Sequence, residues 1–165
     1  MIVVATYFPN KQGTPAIVFF IAAGLFFIVQ TYFHFIGARV RFIYGDINPG
    51  IIVKKNLVAV LTNLGIDGRD YYALKILAQP VRKMTGGAGE PGERVAAACQ
   101  YVGSLSANHW RDFDFELVQC ATRNEATIER VMRSIPEEEW QALEDAVASI
   151  EGRLWSGRLI PLEVR

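Results

Sequence analysis

The feature that most constrains this chain is a long stretch near its N-terminus without a charged side chain. No Asp, Glu, Lys or Arg occurs between residues 12 and 38, and residues 16–37 include six Phe, four Ile, two Val and one Leu. A helix of about 22 residues is roughly 33 Å long, which matches a hydrocarbon core of about 30 Å. We therefore predict a single transmembrane helix over residues 16–37, after a tail over 1–15 and before a soluble domain over 39–165.

Three other interpretations of this apolar run stay open. A core helix of a small soluble domain normally keeps a polar stripe, which this run lacks. A cleaved signal peptide has a positively charged start and a shorter apolar core, whereas Lys11 is the only charged side chain upstream. The run could also pack into an oligomer of a soluble protein. A membrane anchor fits the length and the charge pattern better, so the lipid bilayer is the first expected partner.

The charges that flank the run predict its orientation. Lys11 stands on the N-terminal side, while Arg39, Arg41, Lys54 and Lys55 follow on the C-terminal side. The positive-inside rule therefore places the C-terminal domain in the cytoplasm.

The two cysteines agree with this orientation. Cys99 and Cys120 are too few for a disulfide framework and fit reduced core thiols, although a single bridge between them stays open.

The soluble part is predicted to be an α+β domain, with an antiparallel β-sheet or small barrel followed by two C-terminal helices. Short apolar runs separated by turn signals, without long helices between them, are typical of this architecture. Asn56 is the expected turn residue of a hairpin. The segment 94–102 could be helix or strand, and its flanking glycines favour strand. The predicted strands are 39–42, 51–53, 57–61, 71–77, 94–102, 113–120 and an edge strand at 159–162.

Both C-terminal helices have recognisable starts. Thr122 and Glu125 form a capping-box pattern, in which side chains satisfy the first backbone N–H groups of a helix. The second helix has Pro136 at an early helical position, acidic residues at its positive end and Trp140 on its apolar stripe.

Overall charge argues against a nucleic-acid partner. The chain has 17 basic and 17 acidic residues and a formal net charge of zero. Nucleic-acid binders usually show a basic face or a high isoelectric point.

The stretch that most resembles a catalytic site contains His109, Asp112 and Asp114. A histidine near carboxylates can act as a general base, and Cys99 or Cys120 would then be the nucleophile. Against this, each cysteine lies in a predicted apolar strand, where thiols are normally inert, and the chain contains no Gly-x-Ser-x-Gly motif.

No metal or cofactor is expected. The two histidines, His34 and His109, belong to no Cys/His cluster with zinc-like spacing. His34 lies at membrane depth, where an ionisable residue suggests function, but its place near the helix end favours contact with the interface. The glycine-rich residues 85–92 lack a phosphate-binding motif and are better interpreted as a connecting loop.

Several short motifs resemble a bacterial family of uncharacterised proteins, domain of unknown function 3239. They are GDINPG at 45–50, LVAV at 57–60, MTGG at 84–87, HW-x-DF at 109–113 and IPEEEW at 135–140. The resemblance covers roughly residues 40–163. It implies only that the soluble region is one compact module, and it carries no activity and no functional residues. The expected bacterial origin rests on this resemblance, and the expected location is then the inner membrane.

The sequence therefore favours a single-pass membrane protein whose soluble domain binds or scaffolds a protein partner. The alternative is a hydrolase-like enzyme at the membrane surface that uses the His109, Asp112 and Asp114 stretch.

Overall fold

A computed structural model describes residues 13–81, 84–85, 89–103, 108–150 and 156–162, without the side chains of residues 13–18, 34 and 38. The chain divides into two compact units, Met1–Arg39 and Val40–Arg165.

The first element is helix α1, Gly13–Tyr44, which is 32 residues long. It includes all of the predicted 16–37 helix. The predicted strand at 39–42 is wrong, because the helix continues through these residues and Phe42 packs against the apolar core of the second unit. The polar–apolar alternation of four residues favours a strand less than the continuous i to i−4 backbone hydrogen bonds of α1 favour a helix. The helix ends at Tyr44, and the next residue must be glycine, because a Cβ at Gly45 would lie 2.3 Å from Arg41 O and 2.4 Å from Cys99 O.

The second unit is built on one six-stranded antiparallel sheet with the order β5-β4-β1-β2-β3-β6. This confirms the predicted α+β fold with an antiparallel sheet. The segment 94–102 is a strand, and the last strand lies at the sheet edge, as predicted. The strands are β1 Asp46–Lys54, β2 Leu57–Asn63, β3 Tyr72–Ala78, β4 Arg94–Val102, β5 Asp112–Leu117 and β6 Arg158–Pro161.

The β1–β2 hairpin turns where the sequence predicted it. Asn56 has φ of 62°, a left-handed conformation that asparagine tolerates better than most residues. The strand register shifts between Ile52 and Lys54, next to this turn. The turn therefore depends on a local property of one side chain.

The sheet curls into a half-barrel with a different apolar cluster on each face. Side chains alternate between the faces with a period of two. The inner cluster contains Ile52, Val58, Val60, Leu64, Ala73, Val81, Met84, Val95, Ala97, Cys99, Phe113, Phe115 and Leu117. The helix-side cluster contains Ala59, Leu61, Leu74, Ile76, Ala96, Val118, Ile135, Trp140, Leu143, Ala146 and Ile150.

The helices described after β5 are α2 Val118–Ala121, α3 Glu125–Ser134 and α4 Glu137–Ser149. Helices α3 and α4 are the two predicted C-terminal helices. The predicted strand 113–120 is too long, because β5 ends at Leu117 and the chain turns into α2, in which Val118 and Gln119 are buried.

The predicted capping box is also wrong. The α3 cap is Asn124, whose side chain accepts a hydrogen bond from Thr127 N at 3.1 Å. Thr122 instead accepts from Asn124 N, one step before the helix. The side chain next to the helix reaches the free N–H groups first.

Candidate functional site

Lys75 is a buried lysine on the inner face of β3. It shares this face with Ala73, which belongs to the inner cluster, and with Leu77, which packs against it. Its side chain is only 7% exposed. A buried ammonium group is tolerated only where hydrogen-bond acceptors and opposite charges surround it.

Strand β5 supplies three acceptors to this ammonium group. Lys75 Nζ lies 3.0 Å from Asp112 Oδ1 and 3.1 Å from Asp114 Oδ1, and it also donates to the backbone oxygen of Phe113. The Phe113 ring centroid is 5.6 Å from Nζ. The two carboxylates are 45% and 53% exposed, so the cluster lies at the boundary between the barrel interior and solvent.

Gln79, which follows β3, also donates to a backbone oxygen of β5, as Lys75 does. Gln79 Nε2 donates to Phe115 O at 3.3 Å. Because β5 is an edge strand, its carbonyls on the side away from β4 have no ladder partner. Lys75 and Gln79 satisfy two of these carbonyls, although β2, β1 and β4 lie between β3 and β5 in the sheet. Side chains thus close the half-barrel where backbone pairing stops.

His109 contacts different residues from those that the two aspartates contact. It forms an isolated bridge with Gly65, and its ring stacks on Tyr71 with centroids 4.1 Å apart and planes 17° apart. Among the described residues, no hydrogen bond or ion pair joins His109 to Asp112 or Asp114. The structure therefore brings the two aspartates together at Lys75 and leaves His109 on a neighbouring loop.

This geometry bears on the catalytic interpretation. A general base needs a hydrogen-bond path to the group it activates, whereas Asp112 and Asp114 are both engaged by a cation. A catalytic role for His109, Asp112 or Asp114 stays a prediction.

The inner cluster also contains a thiol and a phenol. Burial raises the pKa of the Cys99 thiol, and its hydrogen bond with Asn48 offsets only part of this shift. Burial raises the pKa of Tyr101 to about 12, and its hydroxyl lies 3.0 Å from Thr62 Oγ1. Both groups are neutral near pH 7, so Cys99 is not an activated nucleophile. Cys120 lies on α2, where its Sγ is 3.9 Å from Pro80 O.

Arg94, at the start of β4, joins the sheet to α4. It donates two hydrogen bonds to Glu137, at 3.0 and 2.8 Å, and a third to Glu144 at 2.9 Å. Its guanidinium lies 5.1 Å from the ring centroid of Trp140. This bidentate, stacked arrangement uses features that only arginine offers, and it fixes the start of α4 on the sheet.

A groove of about 400 Å³ lies where α4 begins over β1, β2 and β3. Partial burial, with the neighbouring charge of Glu138, raises the pKa of Glu139 in this groove. Its described lining contains neither histidine nor cysteine. The lining residues are Asn48, Pro49, Leu61, Thr62, Asn63, Tyr72, Glu138, Glu139 and Ala142.

No group of three or more His, Cys, Asp or Glu residues is placed to hold a metal ion among the residues described. The side chain of His34 and most of the glycine-rich loop, including residues 82–83 and 86–88, lie outside the described residues. Gly89, at the end of that loop, is buried, and a Cβ there would lie 3.0 Å from Ile52 and Val81.

The sequence interpretation missed Lys75 and Arg94. A signal for Lys75 was present, because it is the only charged residue in the strand YALKILA and lies at a position that alternates with apolar residues. Such a lysine must find acceptors, but the period of a strand does not say on which other strand they lie.

Helix α1 contains a candidate membrane span, Phe19–Tyr44, with a mean hydropathy of 1.8 in its most apolar part. No residue in that part is buried. Among the described residues it is the one helix long and apolar enough to cross a bilayer.

Comparisons with known proteins agree on the fold and give no activity. A crystal structure described as that of a "putative membrane protein from Corynebacterium diphtheriae" is similar to this chain, with a TM-score of 0.58 and 22% sequence identity. The similarity covers 71% of this chain and 100% of the other. No curated protein matches the sequence. A family model described as a protein of unknown function (DUF3239) matches residues 36–151. Since this match covers most of the sequence, the chain belongs to the DUF3239 family.

Proposed function

We propose that this chain is a single-pass membrane protein whose α+β module binds a protein partner next to the bilayer. In this proposal α1 is the anchor, the membrane is the inner membrane of a bacterium, and the module lies in the cytoplasm.

The observation that carries the proposal is the exposure of apolar side chains around the whole circumference of α1. Leu25, Phe26, Phe27 and Ile28 are 58%, 63%, 73% and 66% exposed. Consecutive helical residues are about 100° apart, so these four sample every side of the helix. A helix that is apolar all round is stable only inside a large core or a membrane.

The energetics support insertion. Each Phe, Ile, Val or Leu favours insertion by roughly 0.3 to 0.6 kcal/mol at the centre of a span, so the thirteen such residues at 16–37 supply several kcal/mol. Exposure of the same surface to water would make the protein insoluble or oligomeric. The structurally similar protein from Corynebacterium diphtheriae carries the description "putative membrane protein".

Binding is favoured over catalysis by the state of the polar groups. Lys75 engages both aspartates that the sequence singled out, His109 stacks on Tyr71, and Cys99 is a buried neutral thiol. The groove at the start of α4 offers a concave surface with two carboxylates, which suits recognition of a polar or cationic group.

The test of the anchor is extraction of membranes with alkaline carbonate. We expect the parent protein to stay in the pellet and to dissolve only in detergent. The double variant Leu25→Asp/Phe27→Asp should be released, because two carboxylates at the span centre make insertion roughly 6 kcal/mol less favourable. The matched control Leu25→Ile/Phe27→Leu should behave like the parent. Release of the parent without detergent would contradict the anchor.

The test of orientation is a pair of C-terminal fusions in a bacterial host. A fluorescent protein that folds in the cytoplasm should fluoresce, and alkaline phosphatase, which needs an oxidising compartment, should be inactive. Active phosphatase with a dark fluorescent fusion would reverse the proposed orientation.

Partner binding is tested by photocrosslinking in intact membranes, with the photoreactive residue at position 142 in the groove. We expect a discrete crosslinked protein that is absent when the residue is at Lys54, on the distant hairpin. Equal products at both positions would contradict binding in the groove.

A further inference from the structure

The α1 helix carries one amide side chain deep in its apolar span. Gln30 lies about 5 Å along the helix from the centre of the apolar run at 16–37 and is exposed. In a bilayer its two donors and its acceptor would lie in hydrocarbon, where an unsatisfied polar group costs several kcal/mol. Within the described residues, no hydrogen bond satisfies this amide.

Thr31, the next residue, satisfies its polar group with a hydrogen bond inside the same helix. Thr31 Oγ1 donates to Phe27 O at 2.8 Å, the usual way in which threonine is accommodated in a membrane helix. Gln30 is therefore a polar side chain within the apolar run that, among the described residues, has no partner in its own helix. Polar side chains in this position usually hydrogen-bond across to another helix.

The helix surface around Gln30 permits close approach of a second helix. Ala23 and Gly37 lie seven residues before and after Gln30, and Gly24 lies seven residues before Thr31. A seven-residue repeat keeps these positions on one face of a helix in a left-handed pair. A Cβ at Gly24 or Gly37 would meet no atom within 4 Å, so packing inside this chain does not explain either glycine. We call Ala23, Gly24, Gln30, Thr31 and Gly37 the glutamine face.

We propose that the glutamine face pairs with the same face of a second copy of this chain, in a parallel dimer of anchors held by a Gln30–Gln30 hydrogen bond. The inference rests on the proposed membrane insertion. The occupant is a second copy because a carboxamide is self-complementary. The NH₂ group of one copy donates to the carbonyl of the other, and two identical chains inserted in the same direction bring residue 30 to the same depth.

Disulfide crosslinking in membranes locates the interface. The full chain is used in a Cys99→Ala/Cys120→Ser background, with one cysteine introduced by Ala23→Cys on the glutamine face or by Leu25→Cys on the opposite side. Mild oxidation should give a covalent dimer from the Ala23→Cys protein and little from the Leu25→Cys protein. Equal yields, or a product from Ala23→Cys that contains a different protein, would overturn the proposal.

Side-chain replacement then tests the amide itself. Resonance energy transfer between labelled full-length chains in detergent micelles measures dimer dissociation. Gln30→Leu should weaken the dimer about 3- to 30-fold, the range expected for one hydrogen bond between membrane helices. Gln30→Asn should restore part of the affinity, and the matched control Thr31→Val should change it less than about twofold. An unchanged dissociation constant for Gln30→Leu would overturn the role of the amide.

The two proposals fail in different ways. Carbonate extraction of each variant reports insertion independently of pairing. Protein that resists extraction but gives no dimer refutes the glutamine face alone, whereas protein released by carbonate refutes the anchor.

Discussion

Replacing Lys75 by methionine should destabilise the α+β module by about 2 kcal/mol. Methionine keeps most of the volume of the lysine stem, so the change removes the ammonium group without opening a large cavity. The backbone oxygen of Phe113 then loses a donor at a buried site, which costs about 1 to 3 kcal/mol.

The ion pairs add little to this value. Asp112 and Asp114 are each about half exposed, so each pair is worth only about 0.5 kcal/mol after solvent screening. The variant also no longer pays the cost of removing the ammonium group from water. This saving is about as large as the lost ion-pair energy and offsets it. The cost should therefore come mainly from the orphaned carbonyl. Asp112→Asn or Asp114→Asn alone should cost less than about 1 kcal/mol.

Urea unfolding of the full chain in detergent micelles, followed by tryptophan fluorescence, measures these changes. Trp110 packs against the inner cluster and Trp140 belongs to the helix-side cluster, so both faces of the sheet are reported. Lys54→Met, on the exposed hairpin, is the matched control and should change stability by less than about 0.5 kcal/mol. If Lys75→Met unfolds within about 0.5 kcal/mol of the parent, Lys75 does not close the half-barrel.

Three further predictions concern other contacts of the module. The Arg94 guanidinium, by its hydrogen bonds, holds the pKa of Glu137 below the ordinary 4.5. The stabilisation from this pair is therefore complete above pH 4.5 and is lost as the pH falls through the lowered pKa. NMR titration of Glu137 should show this pKa rise toward 4.5 in Arg94→Gln, and an unmoved pKa would exclude Arg94 as the cause. In a Cys120→Ser background, Cys99 should react with a maleimide at least about a hundredfold more slowly in the folded protein than in urea. The reason is that burial raises the pKa of the Cys99 thiol and blocks access to it. Equal rates would show that β4 is open. Asn124→Ala should lower the urea midpoint by an amount equivalent to about 1 kcal/mol, whereas Asn124→Asp should keep most of the stability; equal losses would show that the cap does not hold α3.

The elements predicted correctly are those whose signals are local. The apolar helix follows from a run of uncharged residues, the β1–β2 turn follows from Asn56, and the strand at 94–102 follows from the glycines that flank it. Each of these features depends on the residue itself and its immediate neighbours, so no knowledge of the rest of the chain was required.

The errors lie at places where two parts of the chain compete for the same residues. Residues 39–42 alternate as a strand would, but continuation of α1 keeps their backbone groups paired and brings Phe42 to the helix-side cluster. Residues 118–121 have strand-like composition, but β5 ends at Leu117 and the chain turns into α2, where the consecutive residues Val118 and Gln119 are both buried. Local pattern cannot weigh a contact with a distant segment.

The candidate site was half visible in the sequence. Asp112 and Asp114 were singled out, but with His109, because the three are close in sequence. In the structure both aspartates pair with Lys75, which is 37 residues from Asp112, and His109 stacks on Tyr71. Proximity along the chain was a poor guide, since β5 and the loop before it face different neighbours.

By itself the sequence determined that this protein has an apolar helix ahead of a small antiparallel α+β module, because hydrophobic length and period are properties of neighbouring residues. Only the tertiary structure decided which charges meet: Lys75 with β5, and Arg94 with α4. The curl of the sheet sets the first of these pairs, since it brings β3 and β5 into side-chain contact across the three strands that separate them. Curvature is a property of the whole packed sheet rather than of any one strand.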